Sequence, residues 1–270
     1  MSRTRLGAAA AGIAAAVVLS ACSTGVAGQP VADPMTSGAT TAESAGPSTS
    51  VESNWLTIPA EQAAAAPKRI QLLQTAADGA TARCTAGPAV AAAAAAAHRG
   101  YLAAGHCDEV PGSSLTAGGE AVAPYTGTRR GDRGVTVAWG ATDATSTVAG
   151  HPVAGVLKQD VVQLLPQGTP VCMDSNVSGV RCGAVVENDA TGIYLDLPAE
   201  RGDSGAPLFL LDGQGRATLI GLAEQRSAGY TFGAHLDPLL AQMGAKALVD
   251  RTAAVDPAAD PRYSSATTPQ

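Results

Sequence analysis

Gly202-Asp203-Ser204-Gly205-Ala206-Pro207 is the stretch on which the reading of the fold turns. Short polar residues between glycines form a tight turn readily. The same residues also suit a catalytic loop. A serine hydroxyl becomes a useful nucleophile only when a base takes its proton and donors hold the oxyanion it creates. Glycines on both sides leave the Ser204 hydroxyl uncrowded, and the amides of Gly202 and Ser204 are the candidate oxyanion donors. The motif differs from the nucleophile elbow Gly-x-Ser-x-Gly, because residue 206 is alanine.

Two further segments favour the catalytic reading. Tyr101-Leu102-Ala103-Ala104-Gly105-His106-Cys107 is an apolar run ending in a histidine, and Gly131-Asp132-Arg133-Gly134-Val135-Thr136-Val137 sets an acid at the mouth of an alternating strand. The chain order is therefore His, Asp, Ser, which separates this pattern from the Ser-Asp-His order of α/β-hydrolases and the Asp-His-Ser order of subtilisins.

These segments resemble the chymotrypsin-like serine peptidases, most closely the bacterial streptogrisin and α-lytic group, over roughly residues 80–245. The resemblance implies an all-β fold of two six-stranded antiparallel β-barrels with a C-terminal helix and a cleft between the barrels. It implies a triad of His106 as general base, Asp132 as the group orienting the imidazole, and Ser204 as nucleophile. Asp143, in a Thr-rich loop, is the competing acid. His98, on the alanine-rich segment, His151, in a Gly-Pro turn, and His235, near the last helix, are expected as surface or packing residues. Leu222-Ala223-Glu224-Gln225-Arg226 is the expected substrate strand, with Glu224, Gln225 and Arg226 where relatives carry serine and glycine. Those bulky side chains narrow the expected specificity pocket. Ala206 and Pro198 also depart from the pattern, the latter standing at the position of a third-disulfide cysteine. Buried beside the nucleophile, Asp203 needs a cation, with Arg181 and Arg129 as candidates.

Cys84, Cys107, Cys172 and Cys182 lie in this region and permit three pairings. The resemblance implies Cys84 with Cys107 and Cys172 with Cys182. Closing those loops contributes roughly 3.4 and roughly 2.8 kcal/mol by chain entropy. No Cys-x-x-Cys pair is present, so neither metal nor cofactor is expected.

Many short apolar runs lie between Gly and Pro turns: Val135 to Trp139, Val161 to Leu165, Ile193 to Leu197, Leu208 to Leu211 and Leu219 to Leu222. They predict strands. Leu239 to Leu248, opened by Asp237-Pro238, predicts a helix. Ala91 to Ala97 is seven alanines in a row, which propensity alone assigns to helix. Its place in the hairpin before His106 predicts strand instead.

Hydrophobic residues make up 46% of the 270 and aromatic residues 3%, so the core is expected to rest on Ala, Val and Leu. Residues 1–21 read as an export signal, with Arg3 and Arg5 ahead of an uncharged apolar span that is short for a membrane helix. The span ends in Leu19-Ser20-Ala21-Cys22, which resembles a lipobox, with Cys22 the lipidated residue; a plain secretory signal is the alternative. Residues 22–67 read as a flexible tether containing one apolar knot, Trp55-Leu56-Thr57-Ile58. Residues 68–250 read as the peptidase domain and 251–270 as a disordered tail. Loss of residues 1–21 removes two arginines and changes the formal charge from −6 to −8, which argues against nucleic-acid partners.

The functional expectation is a monomeric, membrane-tethered extracellular endopeptidase acting on proteins or peptides at the outer face of the membrane, or secreted. The alternative is a degenerate peptidase fold whose cleft is closed by Glu224 and Arg226 and which serves as a cell-surface binding module. A non-proteolytic acyl hydrolase has no feature in its favour.

If Cys22 carries the anchor, Cys22→Ala moves the protein into the culture medium or leaves the leader uncut, because stable attachment needs more than one acyl chain. Fractionation with N-terminal sequencing checks this: membrane retention of a processed Cys22→Ala protein excludes the anchor.

Overall fold

The alanines at 91–97 form a β-hairpin, not a helix, with residues 93 and 94 as its turn. Ala89–Ala92 and Ala95–Ala104 run antiparallel, with Ala89 opposite Tyr101 and Val90 opposite Gly100. At the open end of the hairpin the Gly87 amide donates to the Leu102 carbonyl at 2.7 Å and the Leu102 amide to the Pro88 carbonyl at 3.1 Å. The helix preference of alanine over other ordinary residues is at most about 0.7 kcal/mol each. The hairpin buries Val90, Tyr101 and Leu102 to 2% exposure or less, and each such side chain contributes roughly 1.5–3 kcal/mol. Tertiary burial wins.

The computed structural model describes residues 54–128, 134–227 and 229–270. Cys22, Arg129 and Asp132 lie outside the described residues. In the first half, helix α1 (Ala60–Ala65) leads into β1 (Gln71–Thr75), β2 (Thr81–Thr85), β3 (Ala89–Ala92), β4 (Ala95–Ala104), β5 (Ser114–Ala117), β6 (Glu120–Val122), β7 (Thr126–Thr128) and β8 (Val135–Trp139). The second half contains β9 (Thr147–Val148), β10 (His151–Val156), α2 (Gln159–Val162), β11 (Pro170–Ser175), β12 (Gly179–Asn188), β13 (Ile193–Asp196), β14 (Pro207–Leu211), β15 (Ala217–Ser227) and β16 (Tyr230–His235), then α3 (Leu236–Met243), β17 (Ala245–Val249) and β18 (Thr267–Pro269).

Strands β11, β12, β13, β16, β15 and β14 pair in that order, and β14 pairs back to β11, closing a six-stranded antiparallel barrel. Strand β10 extends it in parallel along β15. The strands of the first half form two sheets, β2-β1-β5-β6 and β3-β4-β8-β7, and β17 and β18 from the end of the chain extend the second beside β3. One apolar cluster fills the first half and runs under α3; a second, with Met173, Ile193, Leu208 and Ile220 at its centre, fills the closed barrel.

Three sequence expectations are corrected. Val161 to Leu165 is not a strand: the Val162 amide bonds to the Lys158 carbonyl at 3.0 Å and residues 159–162 form the helical turn α2, which Pro166 ends. The helix expected over Leu239 to Leu248 stops at Met243. Gly244 takes the left-handed conformation at φ 56° and returns its amide to the Ala241 carbonyl, so residues 245–249 leave as β17 and pair with β3. The expected disordered tail is folded. Strand β18 lies parallel to β17, and the Ser264 amide bonds to the Val156 carbonyl at 2.8 Å. Tyr263 is buried over Gly155, where an added Cβ would lie 2.6 Å from the tyrosine ring.

The expected tether also begins to fold before residue 68. The Leu56 amide bonds to the Leu211 carbonyl at 2.9 Å, and Ile58 enters the first core cluster. Behind it, Arg69 is sunk between the halves. It donates through Nε to the Ala86 carbonyl at 2.9 Å, through Nη1 to the Thr147 carbonyl at 3.3 Å, and lies 3.8 Å from the buried Asp174 carboxylate. Burial lowers the Arg69 pKa and raises that of Asp174, and the attraction between the two opposes both shifts.

Tyr263→Ala is expected to cost about 3 kcal/mol in urea unfolding, the cost of deleting a buried aromatic ring. An unchanged midpoint would mean that the C-terminal segment does not belong to the cooperative fold.

Candidate active site

His106 lies on a single 3-10 turn, Gly105–Cys107, at the end of β4. Two constraints hold that turn. Cys107 is disulfide-bonded to Cys84 on β2, with their Cα atoms 6.0 Å apart. The Gly105 amide donates to the Gly134 carbonyl at 2.7 Å, and a Cβ on Gly105 would lie 2.9 Å from the Gly134 carbonyl carbon. Glycine at 105 is therefore what lets the segment after Asp132 press against the histidine turn.

Ser204 sits in the loop between β13 and β14, half-buried. The glycines flanking it have φ of 104° at Gly202 and 91° at Gly205, and a Cβ on Gly205 would lie 2.3 Å from the Thr85 carbonyl oxygen. The backbone folds so that most of its groups are used internally. Ser204 O accepts from the Thr85 amide at 2.9 Å, Gly202 O from the Thr85 hydroxyl at 2.8 Å, the Gly205 amide donates to Ala223 O at 2.7 Å, and the Asp203 amide donates to Glu200 O at 3.1 Å. Among the described residues, the Gly202 and Ser204 amides donate to no protein acceptor. Both residues line the cleft. Ala206 is fully buried, so its methyl group is accommodated where relatives carry glycine.

The Asp203 side chain turns inward and is 1% exposed. Among the described residues no cation pairs with it, and the expectation is corrected for Arg181; Arg129 lies outside them. Its carboxylate accepts from the Ser178 hydroxyl at 2.6 Å, the Ser178 amide at 3.2 Å, the Glu200 amide at 2.6 Å, and the Ser175 hydroxyl. Several donors aimed at one carboxylate substitute for a counter-ion. Arg181 instead bonds to Glu200 at 3.3 Å, with both side chains substantially exposed. Ser175 and Ser178 lie on the turn joining β11 to β12, whose strands the second disulfide, Cys172–Cys182, joins face to face. The sequence contained that segment, but nothing local pointed its hydroxyls at residue 203.

A cleft of about 520 Å³ opens between the halves and is lined by His106 from the first and by Gly202, Ser204, Glu224 and Gln225 from the second. The structure brings all of these sequence-predicted residues to one cleft; Asp132 and the Arg226 side chain lie outside what is described. Asp143 is elsewhere, bonded to the Tyr101 hydroxyl at 3.4 Å beside the Arg69 cavity. The other histidines are engaged away from the cleft. His98 packs on Trp139, His151 Nδ1 is 3.0 Å from Gly215 O, and His235 Nε2 is 2.8 Å from Asp189 O, with its pKa lowered by burial. The sulfurs of Cys84 and Cys107 lie within 4.8 Å of the His106 ring nitrogen, but their disulfide leaves no thiolate to bind a metal.

Strand β15 carries a bulge between Ala223 and Gln225, and the bulged residue is Glu224. Bulges re-aim side chains next to functional sites. Here the carboxylate turns inward, is 3% exposed, and accepts from the Gly134 amide at 3.2 Å. It does not close the cleft. Beyond Ala223 the second edge of β15 pairs with no strand among the described residues.

Comparison with solved structures finds Cellulomonas bogoriensis chymotrypsin at TM-score 0.50 and 21% identity, matching 68% of this chain and 97% of that one. The fold is chymotrypsin-like. A Nocardiopsis protease aligns at TM-score 0.47 and 19% identity over 62% of this chain and 93% of its own. A glutamic-acid-specific serine protease aligns at TM-score 0.48 and 18% identity over 67% and 97%. No protein-family model and no curated protein sequence matches the chain. On this chymotrypsin-like frame, the loop carrying Ser204 and the turn carrying His106 come from opposite halves of the molecule.

If hydroxyls hold Asp203, Ser178→Ala lowers the unfolding free energy by roughly 1.5–3 kcal/mol, the range for a hydrogen bond to a charged group. Arg181→Ala costs less than about 1 kcal/mol, as an exposed pair does. Denaturant titration of the two variants tests the assignment, and the reverse order would make Arg181 the partner.

Proposed function

We propose that this chain is an exported serine endopeptidase that cleaves peptide bonds through an acyl-enzyme. The observation that carries the reading is the convergence on one cleft of His106, Ser204 and the two unengaged amides of Gly202 and Ser204. Ser204 attacks the scissile carbonyl while His106 takes its proton, and His106 returns that proton to the leaving amine. The Gly202 and Ser204 amides hold the oxyanion of the tetrahedral intermediate. Asp132, two residues before Gly134, holds the imidazole tautomer and stabilises the imidazolium. Water then attacks the acyl-enzyme by the reverse proton path.

The open edge of β15 at Gln225 suits an extended substrate, which would add to it as a strand. Glu224 is turned away from that edge, which favours the enzyme over the binding-module alternative. The disulfides fit an exported chain, and attachment through Cys22 at the outer membrane face completes the proposal.

Fluorophosphonate labelling tests it, since the reagent needs an activated serine and an oxyanion hole but little of the substrate strand. Ser204 is expected to be the labelled residue, at a rate that rises with pH as His106 loses its proton. His106→Ala abolishes labelling. Asp132→Asn slows it by about four orders of magnitude, as in the chymotrypsin-family example, and Asp143→Asn leaves it unchanged. Labelling without digestion of casein favours the binding module, and failure of the folded, oxidised protein to label excludes the triad.

A further inference from the structure

Glu224 is a buried acid at a place where the cleft's three segments meet. Its neighbour Ala223 is clasped to the nucleophile loop on both sides: Ala223 O accepts from the Gly205 amide at 2.7 Å, and the Ala223 amide donates to Ala206 O at 2.9 Å. One residue on, the bulge turns the Glu224 side chain toward the other half, where Oε1 accepts from the Gly134 amide at 3.2 Å. The carbonyl of that same Gly134 accepts from the Gly105 amide at 2.7 Å, immediately before His106. A single chain of contacts thus runs from the nucleophile loop, through Glu224, to the loop that follows Asp132, and on to the histidine turn.

The electrostatic surroundings single out the same residue. The other charged side chains of the cleft are Arg83, Glu109, Glu200, Arg201 and Asp203. Arg83, Glu109, Glu200 and Arg201 are exposed, where water and salt screen them. Asp203 is buried but faces away into its cradle of hydroxyls and amides. Glu224 is buried and lines the cleft with His106. A carboxylate in that setting acts on an imidazole far more strongly than an exposed one.

We propose that Glu224 is a positioning residue. Its carboxylate locks the loop after Asp132 onto the turn that carries His106, and its charge, together with that of Asp132, favours the imidazolium that forms when Ser204 loses its proton. This rests on the peptidase reading for its purpose, but its test does not depend on activity.

The test is a pH titration of the imidazole NMR signals of the whole secreted domain, with His106 assigned by its loss in His106→Asn. Glu224→Gln keeps an acceptor oxygen and removes the charge, so the fold is retained. The His106 midpoint is expected to fall by about half a pH unit or more. Glu224→Ala removes the acceptor as well, and amide exchange at Gly134 and Gly105 is expected to quicken at least tenfold relative to the parent. A His106 midpoint unchanged in Glu224→Gln overturns the proposal, as does unchanged Gly134 exchange in a folded Glu224→Ala. Loss of cleavage confined to peptides with basic side chains, with the midpoint unchanged, would make Glu224 a specificity group and also overturn it. A parent protein that titrates as expected but fails to label with fluorophosphonate would refute the peptidase reading and leave the role of Glu224 standing.

Discussion

Two adjacent residues, Cys84 and Thr85, carry the connection between the halves of the cleft. The sulfur of Cys84 is bonded to Cys107, next to His106, while the amide and hydroxyl of Thr85 hold the carbonyls of Ser204 and Gly202. One covalent bond and two hydrogen bonds on one short piece of β2 thereby fix two loops that are distant in sequence. Proton transfer between a hydroxyl and an imidazole tolerates little error in position. A strand edge is a better place to set that geometry than either loop alone, because its backbone is already committed to β1 along its length.

The rest of the structure supports that strand. The scarcity of aromatic side chains is met by small residues at close approaches, as at Gly100, where an added Cβ would lie 2.3 Å from the Ala138 carbonyl oxygen. Arg69 fills the junction behind β2 with a guanidinium whose donors reach carbonyls from both halves. Its partial compensation by Asp174 is the costly kind of pairing, useful for fixing one arrangement more than for raising stability.

Much of this was legible in the sequence, for a chemical reason. A serine between glycines, a histidine before a cysteine and an aspartate before an alternating strand are few-residue patterns set by local demands, and residues 106 and 204 do line one cleft. The short apolar runs between turns announced most of the strands, and the closed barrel was what the resemblance to the chymotrypsin-like peptidases implied. What was not legible depends on partners far away in the chain. The donors to Asp203 come from a turn roughly thirty residues upstream, and hydroxyls carry no charge pattern to announce them. The parallel pairing of β18 with β17 has no local signature, so a polar segment containing Tyr263 read as a loose tail. Gly244 hid a boundary in the other direction, because apolar periodicity continued across it from a helix into a strand.

The cradle around Asp203 also bears on timing. A carboxylate that needed a cation from a freshly made chain terminus would leave the nucleophile loop unformed until a cut was made. Here the groups that hold it among the described residues are hydroxyls and amides of the same chain, those of Ser175 and Ser178 set in place as β11 and β12 pair. Formation of that cradle therefore follows folding itself. The step that remains outside the backbone's control is oxidation of Cys84 and Cys107, a reaction of the compartment beyond the reducing cytosol.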